Sequence, residues 1–367
     1  MRVVYDSFGG RYADSPRAVH QALLATRGGV TPTGPGRTDV PRQEREHTWV
    51  LDERHRAGFP RGTATVLDGS PAMRAALDAA DLVVANTHLP LDWVRPAGTT
   101  YVQTWHGTPL KRIHGDAHTQ YDDDTMAQLQ AEVDRWSCLV GPGGQGSALL
   151  ARAFRYAGPV LDVGYPRNDV LHAPGAAEQG RAVRARLGIG EDEQVVLYAP
   201  TWRDDEDHAD PDVSPGLDAA RLADQLGEGW RVLVRLHYFV RRSSTDEHER
   251  VLDVGAHPDI TDLYLAADAF VTDYSSSMFD VAPTSLPVLL FAYDLEHYRD
   301  RLRGFYLDLD EESPGPVLGT QDELAEALLD LPAVSAAWAR RRADFVARWC
   351  PMDDGGATAR LLLQLGL

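Results

Sequence analysis

The sequence contains a single lysine, Lys111, although lysine and arginine together number 36. Its two cysteines, Cys138 and Cys350, lie far apart, which excludes a disulfide framework and a cysteine-based metal site. No apolar run approaches the roughly 20 residues that a membrane-spanning helix needs, and the amino terminus lacks the apolar stretch of a secretory signal. We therefore expect a globular, cytoplasmic protein.

A basic surface is also absent, because the formal net charge is −19. Such a charge excludes a general nucleic-acid binder, which needs a basic face. It also argues against electrostatic attachment of the whole protein to anionic lipid. The sequence lacks GxSxG, HExxH and Walker motifs, and no GxGxxG follows the first strand. These absences exclude several common classes of hydrolase and nucleotide-binding enzyme.

What the sequence does contain is an alternation of short apolar strands with helices along its whole length. This alternation predicts an α/β fold with doubly wound parallel sheets. A polar stretch at 172–180 interrupts it, so we expect two Rossmann-like domains, at 1–175 and 176–367, that face a central cleft. The last helix is expected to pack back on the N-terminal domain. Ligands of such sheets bind beyond the carboxyl ends of the strands, where several polar motifs fall.

The first of these motifs is His106-Gly107-Thr108-Pro109, followed by Leu110 and Lys111. Gly107 leaves room for a ligand to approach the backbone. A histidine beside backbone amides, a hydroxyl and the one ammonium group suits chemistry on a polar or anionic substrate. The alternative is an ordinary strand-to-helix turn with a solvent-facing histidine.

A second motif is TDYSSSMFD at 272–280, between a strand and a short helix. The hydroxyls of Ser275 and Ser276 and the neighbouring amides predict a phosphate site. Asp280 lies four residues beyond Ser276 on the same helix face, where it could accept hydrogen bonds from ribose. The alternative is a serine N-cap followed by a solvent-facing aspartate.

Cationic candidates follow other strands. Arg235 interrupts the apolar run that ends at Leu236, and His237 projects to the same side, so the pair is expected to clamp a phosphoryl group. A salt bridge from Arg235 to a nearby aspartate is the alternative. Arg203 and Arg167 are further candidates, and each could instead pair with an acidic neighbour in its own motif, Asp169 in the case of Arg167.

These motifs, taken in order, resemble the CDP-glycerol glycerophosphotransferase family, the teichoic-acid primases and polymerases of Gram-positive cell walls. The resemblance spans almost the whole chain. The matching segments are YDSFGGRYADSPRAV, TWHGTPLK, GYPRND, YAPTWRDD, VRLH, VTDYSSSMFD and FAYDLEHYRDRLRGFYLDLDEESPGPV.

The resemblance implies a GT-B-like fold, with an acceptor-side N-terminal domain and a donor-binding C-terminal domain. It implies that His106 is the general base and that His237, the second catalytic residue, contacts the donor diphosphate together with Arg235. The substrate-binding residues implied are Gly107, Thr108, Pro109, Leu110, Lys111, Arg167, Pro200, Thr201, Arg203, Arg235, Leu236, Ser275, Ser276 and Asp280. Phosphoryl transfer depends on positioning and charge stabilisation, so we expect no cofactor and no dedicated metal.

The implied reaction moves a polyol phosphate, foremost glycerol phosphate, from a CDP-activated donor to a hydroxyl of a lipid-linked or glycan acceptor and releases CMP. The family's polymerases usually carry an extra N-terminal region and basic membrane helices, which this sequence does not show. We therefore expect a single transfer or a short product as readily as processive polymerisation, and any peripheral contact with the inner face of the membrane to come from a partner or from the lipid-linked acceptor. Two alternatives remain at this point. One is a GT-B glycosyltransferase that uses a nucleotide-sugar, and the other is a non-catalytic nucleotide-binding scaffold.

Overall fold

The computed structural model describes residues 1–25, 44–117, 121–201, 216–236, 248–299 and 304–367. The described residues form two parallel sheets, of seven and six strands. The strands are β1 (Arg2–Asp6), β2 (Glu46–Leu51), β3 (Thr65–Leu67), β4 (Leu82–Ala85), β5 (Thr100–Gln103), β6 (Cys138–Gly141), β7 (Val160–Asp162), β8 (Gln194–Tyr198), β9 (Trp230–Val234), β10 (Val251–Asp253), β11 (Ala269–Thr272), β12 (Val288–Phe291) and β13 (Val317–Leu318).

The helices lie between and beyond these strands. They are α1 (Asp14–Ala25), α2 (Pro71–Asp78), α3 (Asp123–Val133), α4 (Gly144–Ala153), α5 (Ala176–Arg186), α6 (Ala219–Leu226), α7 (Ile260–Ala266), α8 (Ser277–Val281), α9 (Leu295–His297), α10 (Leu309–Glu312), α11 (Gln321–Leu329), α12 (Leu331–Trp349) and α13 (Ala357–Gln364).

The strand order is that of a doubly wound fold in each sheet. The first sheet runs β3-β2-β1-β4-β5-β6-β7 and the second β10-β9-β8-β11-β12-β13. In both, the order reverses direction beside a central strand, β1 or β8, which opens a crevice at the carboxyl ends of the strands. The prediction of two doubly wound parallel sheets is confirmed.

Strand β4 shows why the strand sequences are apolar throughout. Leu82 and Val84 belong to the apolar cluster on one face of the first sheet, and Val83 and Ala85 belong to the cluster on the other. Successive side chains of a strand point to opposite faces, and helices cover both faces of a parallel sheet. A strand in this setting therefore reads as a continuous apolar run.

Two segments cross between the sheets. Leu361 and Leu362 of α13 pack in the cluster that contains Val3 and Tyr5 of β1. In the opposite direction, Leu110 is buried in the apolar cluster of the second sheet. The last helix, α13, thus packs against the first sheet. The predicted boundary between two domains at residue 175 stays a prediction.

Candidate active site

The carboxyl ends of the two sheets face a cleft of about 560 Å³, which we call the central cleft. Both sheets contribute to its walls. From the first come Phe8, Arg11, Ala13, Asp14, Thr87, His106 and Arg167, and from the second Ala199, Arg235, Leu236, Gly255, Pro258, Asp259, Ile260, Tyr264, Ser275, Ser276, Ser277 and Asp280. Seven of the sequence-predicted site residues therefore share one cavity: His106, Arg167, Arg235, Leu236, Ser275, Ser276 and Asp280.

His106 lies in the loop that follows β5 and is half-buried. Its ring stacks on Trp105, with ring centroids 4.1 Å apart and planes at 27°. Burial, together with the charge of Arg167, lowers the pKa of His106 to about 4. The imidazole is therefore neutral near pH 7 and has a nitrogen that can take a proton from a hydroxyl group.

Gly107 brings the histidine loop against the serine motif of the second sheet. Its φ is +139°, and a Cβ at this position would lie 3.0 Å from the Ser276 hydroxyl and 3.4 Å from Nη2 of Arg167. A glycine is required here both by the backbone conformation and by the close approach. The contact places His106 next to the predicted phosphate site.

The rest of this motif is held by protein contacts. The Thr108 hydroxyl lies 3.1 Å from the hydroxyl of Tyr165, and Pro109 and Leu110 are buried. Lys111 donates from Nζ to the Tyr298 hydroxyl at 3.0 Å and lies outside the group of residues that line the cleft. These contacts position the loop, and direct substrate binding by Thr108, Pro109, Leu110 and Lys111 stays a prediction.

The serine motif begins at the carboxyl end of β11. Ser277 donates from its hydroxyl to Oγ of Ser275 at 2.8 Å, and Ser276 precedes α8 without forming a side-chain cap. The predicted alternative, a serine N-cap with a solvent-facing aspartate, is therefore wrong for Ser276 and Asp280, since Asp280 is buried.

Arg167 and Asp280 form a buried ion pair between the sheets. Nη2 of Arg167 donates to Oδ1 of Asp280 at 2.6 Å and Nε donates to Oδ2 at 3.2 Å, and Asn168 adds a hydrogen bond to the same carboxylate at 3.1 Å. Asp14 lies 3.6 Å from Nη1. Although burial opposes the charge, Asp280 and Asp14 raise the pKa of Arg167 above its ordinary value, so the guanidinium is charged. Burial also raises the pKa of Asp280, and the contacts with Arg167 and Asn168 oppose that rise.

The expected alternative partner of Arg167 was Asp169, and this interpretation is wrong. Asp169 instead accepts hydrogen bonds from the amides of Ala357 and Thr358 at 2.8 and 2.7 Å, which caps the start of α13. The roles of Arg167 and Asp280 toward a nucleotide stay predictions. Their contacts with each other show that they also join the two sheets.

Arg235 follows β9 directly and is half-buried. Its Nη1 donates to the carbonyl oxygens of Val254 and His257 at 3.1 and 2.8 Å, so main-chain groups hold this side of the guanidinium. Burial lowers its pKa, and the nearby Arg11 lowers it further. His237 and Arg203, both predicted from the sequence, lie outside the described residues.

Pro200 and Thr201 follow β8, next to Ala199, which lines the central cleft. The Thr201 amide donates to Oδ1 of Asp273 at 2.8 Å. This hydrogen bond ties the end of β8 to the end of β11, so the two neighbouring strand ends present their motifs together.

Sequence reasoning missed the part of the wall that follows β1 and β4. The loop between β1 and α1 contains Phe8 and Arg11, and α1 begins at Asp14. Thr87 lies in the segment that follows β4. The signal was present, because the carboxyl ends of central strands are where ligands bind in such sheets. The segment that contains Phe8, Arg11 and Asp14 forms part of the family resemblance, which assigns none of these residues a role.

No group of three or more histidine, cysteine, aspartate or glutamate side chains among the described residues is arranged to hold a metal ion. None of the helices in the described part of the chain has the length and apolar character needed to cross a membrane.

The chain matches the family model described as CDP-Glycerol:Poly(glycerophosphate) glycerophosphotransferase over residues 1–365. It is 34% identical to the teichoic acid glycerol-phosphate transferase of Staphylococcus aureus, over 98% of this chain and 91% of that protein. It is 33% identical to the teichoic acid poly(glycerol phosphate) polymerase of Bacillus subtilis, over 98% of this chain. The chain spans about half of that polymerase, 48% of its length.

Solved structures of the wall teichoic acid polymerase TagF are similar throughout. One superposes with a TM-score of 0.86 at 30% identity, covering 100% of this chain and 88% of that one, and another with the same TM-score is of a histidine variant soaked with CDPG. A UDP-GlcNAc 2-epimerase from Neisseria meningitidis has a TM-score of 0.56 at 12% identity, covers 100% of this chain and 99% of that one, and shares the fold alone. The GT-B-like prediction is thus confirmed, and the chain belongs to the CDP-glycerol:poly(glycerophosphate) glycerophosphotransferase family.

Proposed function

We propose that the protein transfers glycerol phosphate from CDP-glycerol to a hydroxyl group of a polymer-type acceptor, lipid-linked or glycan, and releases CMP. The observation that carries this proposal is the contact between Gly107 and Ser276, which sets a neutral histidine beside a hydroxyl-lined pocket in one cleft. Family membership supports the same reaction. TagF, a relative of similar structure, has been soaked with CDPG.

His106 acts as the general base in this proposal. It takes the proton of the acceptor hydroxyl, whose oxygen forms a bond to the phosphorus that carries glycerol. The bond from that phosphorus to the oxygen bridging the two phosphates breaks, and CMP leaves with the electron pair. A base with a pKa near 4 is a weak one, so most of the acceleration must come from alignment and from charge stabilisation.

Charge stabilisation is assigned to groups of the second sheet. Ser275 and Ser276 are proposed to donate hydrogen bonds to the phosphates of the donor, and Arg235 is proposed to bind the diphosphate. Phosphoryl transfer spreads negative charge over the transferred group and the leaving oxygen, where fixed donors are most effective. His237 and Arg203 keep their predicted roles at this donor site, and a cytoplasmic location with peripheral membrane contact also stays a prediction.

The test is a panel of donors: CDP-glycerol, CDP-ribitol and UDP-sugars, incubated with an oligo(glycerol phosphate) acceptor. We expect CMP from CDP-glycerol. A nucleoside diphosphate released from a UDP-sugar would instead identify a glycosyltransferase, and a wild-type protein that binds CDP-glycerol without turnover would identify a scaffold.

A His106→Asn variant assigns the base. We expect it to bind CDP-glycerol with nearly unchanged affinity and to lose roughly 100-fold or more in turnover, as for the loss of a general base. His297→Asn is the matched control, because His297 is exposed on α9 outside the cleft. Full turnover by His106→Asn would remove His106 from the mechanism.

A further inference from the structure

The loop after β1 places Arg11 on the first-sheet wall of the central cleft. Phe8, Gly9 and Gly10 have consecutive positive φ angles of 50°, 64° and 112°. Hydrogen bonds impose this backbone: the Gly10 amide donates to Oδ1 of Asp6 at 3.1 Å and the Arg11 amide to the carbonyl of Ser7 at 2.7 Å. Glycine adopts positive φ angles readily, so Phe8 is the one residue of the three whose side chain disfavours its backbone conformation.

His55 orients the Arg11 side chain. Nε of Arg11 donates to Nε2 of His55 at 3.2 Å. Burial and the charge of Arg11 lower the pKa of His55, so the ring is neutral and can accept this hydrogen bond. One side of the guanidinium is therefore turned toward the protein, which sets the direction of the group within the cleft wall.

Arg235 lies on the opposite wall of the same cleft. Two guanidinium groups in one cavity repel each other, and an anion bound in the cavity attracts both. Among the carboxylates that line the cleft, Asp14 and Asp280 contact Arg167, whereas Asp259 lies 3.3 Å from Arg17 and also acts to raise the pKa of Arg235. The arrangement suits a substrate that brings anionic groups to both walls.

We propose that Arg11 binds the phosphodiester of the acceptor that is nearest to the attacking hydroxyl. The inference rests on the proposed function and adds an acceptor subsite to it. A poly(glycerol phosphate) chain carries a phosphodiester one glycerol unit from its terminal hydroxyl. Arg11 shares the first-sheet wall with His106, and Phe8 of the same loop has its ring centroid 5.7 Å from that of His106. The planar guanidinium can donate two parallel hydrogen bonds to such a group.

The test compares two acceptors and three variants. Oligo(glycerol phosphate) has the phosphodiester, and free glycerol has the hydroxyl without it. For Arg11→Gln we expect the KM for oligo(glycerol phosphate) to rise roughly tenfold or more, with the reaction of glycerol and the KM for CDP-glycerol unchanged. Arg11→Lys keeps the charge, and we expect its KM for oligo(glycerol phosphate) to lie between those of the wild type and Arg11→Gln. Arg54→Gln is the matched control, since Arg54 pairs with Asp52 outside the cleft.

Binding of oligo(glycerol phosphate) in the absence of donor, measured by calorimetry, gives a second readout that does not need turnover. Weaker binding by Arg11→Gln, with an unchanged melting temperature, supports the subsite. Equal losses with both acceptors, a raised KM for CDP-glycerol, or unchanged binding would overturn it. Absence of CMP from the wild-type protein would contradict the proposed function instead, and the binding comparison would still decide the role of Arg11. If Arg11→Gln does not fold, the same comparisons with Arg11→Lys decide the question.

Discussion

Arg167 and Asp280 face each other across the junction of the two sheets, with two hydrogen bonds of 2.6 and 3.2 Å between them. The side chains are 3% and 8% exposed. The pair comes from residues that are distant in the sequence, and its arginine lies beside the contact between Gly107 and Ser276, since Nη2 of Arg167 would be 3.4 Å from a Cβ at Gly107. One ion pair thus connects the relative position of the sheets with the geometry of the candidate active site.

Breaking this pair should destabilise the protein strongly. Asp280→Asn leaves a buried guanidinium without its main carboxylate, and the loss of one partner of a buried pair costs roughly 3–5 kcal/mol. We expect a lower free energy of unfolding in urea and a lower turnover. Asp322→Asn is the control, because its ion pair with Arg221 is exposed and such pairs contribute at most about 1 kcal/mol. Equal stabilities of the two variants would contradict this account.

Gly107→Ala should separate the histidine loop from the serine motif. The new Cβ would lie 3.0 Å from Oγ and 3.2 Å from Cβ of Ser276, at a backbone φ of +139°. A displacement of about 1 Å in such a site can reduce the rate roughly 100-fold, so we expect kcat to fall by at least about tenfold.

Ser276→Gly tests the cause of that loss, because it removes the atoms that the new methyl group would meet. We therefore expect the double variant, Gly107→Ala with Ser276→Gly, to lose less activity than the product of the losses of the two single variants. Strictly multiplicative losses in the double variant would show that steric contact with Ser276 is not the reason.

The pH dependence of the reaction should report the environment of His106. Its pKa is lowered to about 4 by burial and by Arg167, and a general base is lost when it is protonated. We therefore expect the loss of kcat/KM that protonation of His106 causes to occur near pH 4, below the pKa of an ordinary histidine, about 6.5.

Trp105 is the aromatic group that stacks on His106. Trp105→Ala should expose the imidazole and move the acid limb of the pH profile upward, toward the ordinary pKa of histidine, about 6.5. Trp105→Phe keeps an aromatic contact and should shift it less. Identical acid limbs in all three proteins would contradict the role of burial.

Asp353 should make the protein less stable as the pH rises. Burial raises its pKa from 3.8 to about 8, although it accepts a hydrogen bond from the Tyr165 amide at 2.6 Å. Between these two pH values the folded state binds more protons than the unfolded state, so this group lowers the free energy of unfolding by at most about 1.4 kcal/mol per pH unit.

Asp353→Asn removes that ionisation. The difference in free energy of unfolding between the variant and the wild type, from urea titrations at pH 5, 6 and 7, should change steadily in favour of the variant as pH increases. A difference that is constant over this range would show that Asp353 is not protonated in the folded protein.

Much of the fold could be predicted because apolar runs and strand-end motifs are local signals. Some strands are too short to give such a signal: β3 and β10 have three residues each and β13 has two. They lie at sheet edges, where a few backbone hydrogen bonds suffice and no long apolar run is needed. Strand type and order are therefore more predictable at the centre of a sheet than at its edges.

The sequence by itself determined the class of fold, the motifs at the strand ends and the family, since these depend on residue order alone. Only the tertiary structure decided that Arg167 pairs with Asp280 and not with Asp169, that Lys111 contacts Tyr298, and that Arg11 and Arg235 share one cleft. The physical reason is distance along the chain: the partner of a buried charge is selected by packing between sheets, which no local pattern of residues records.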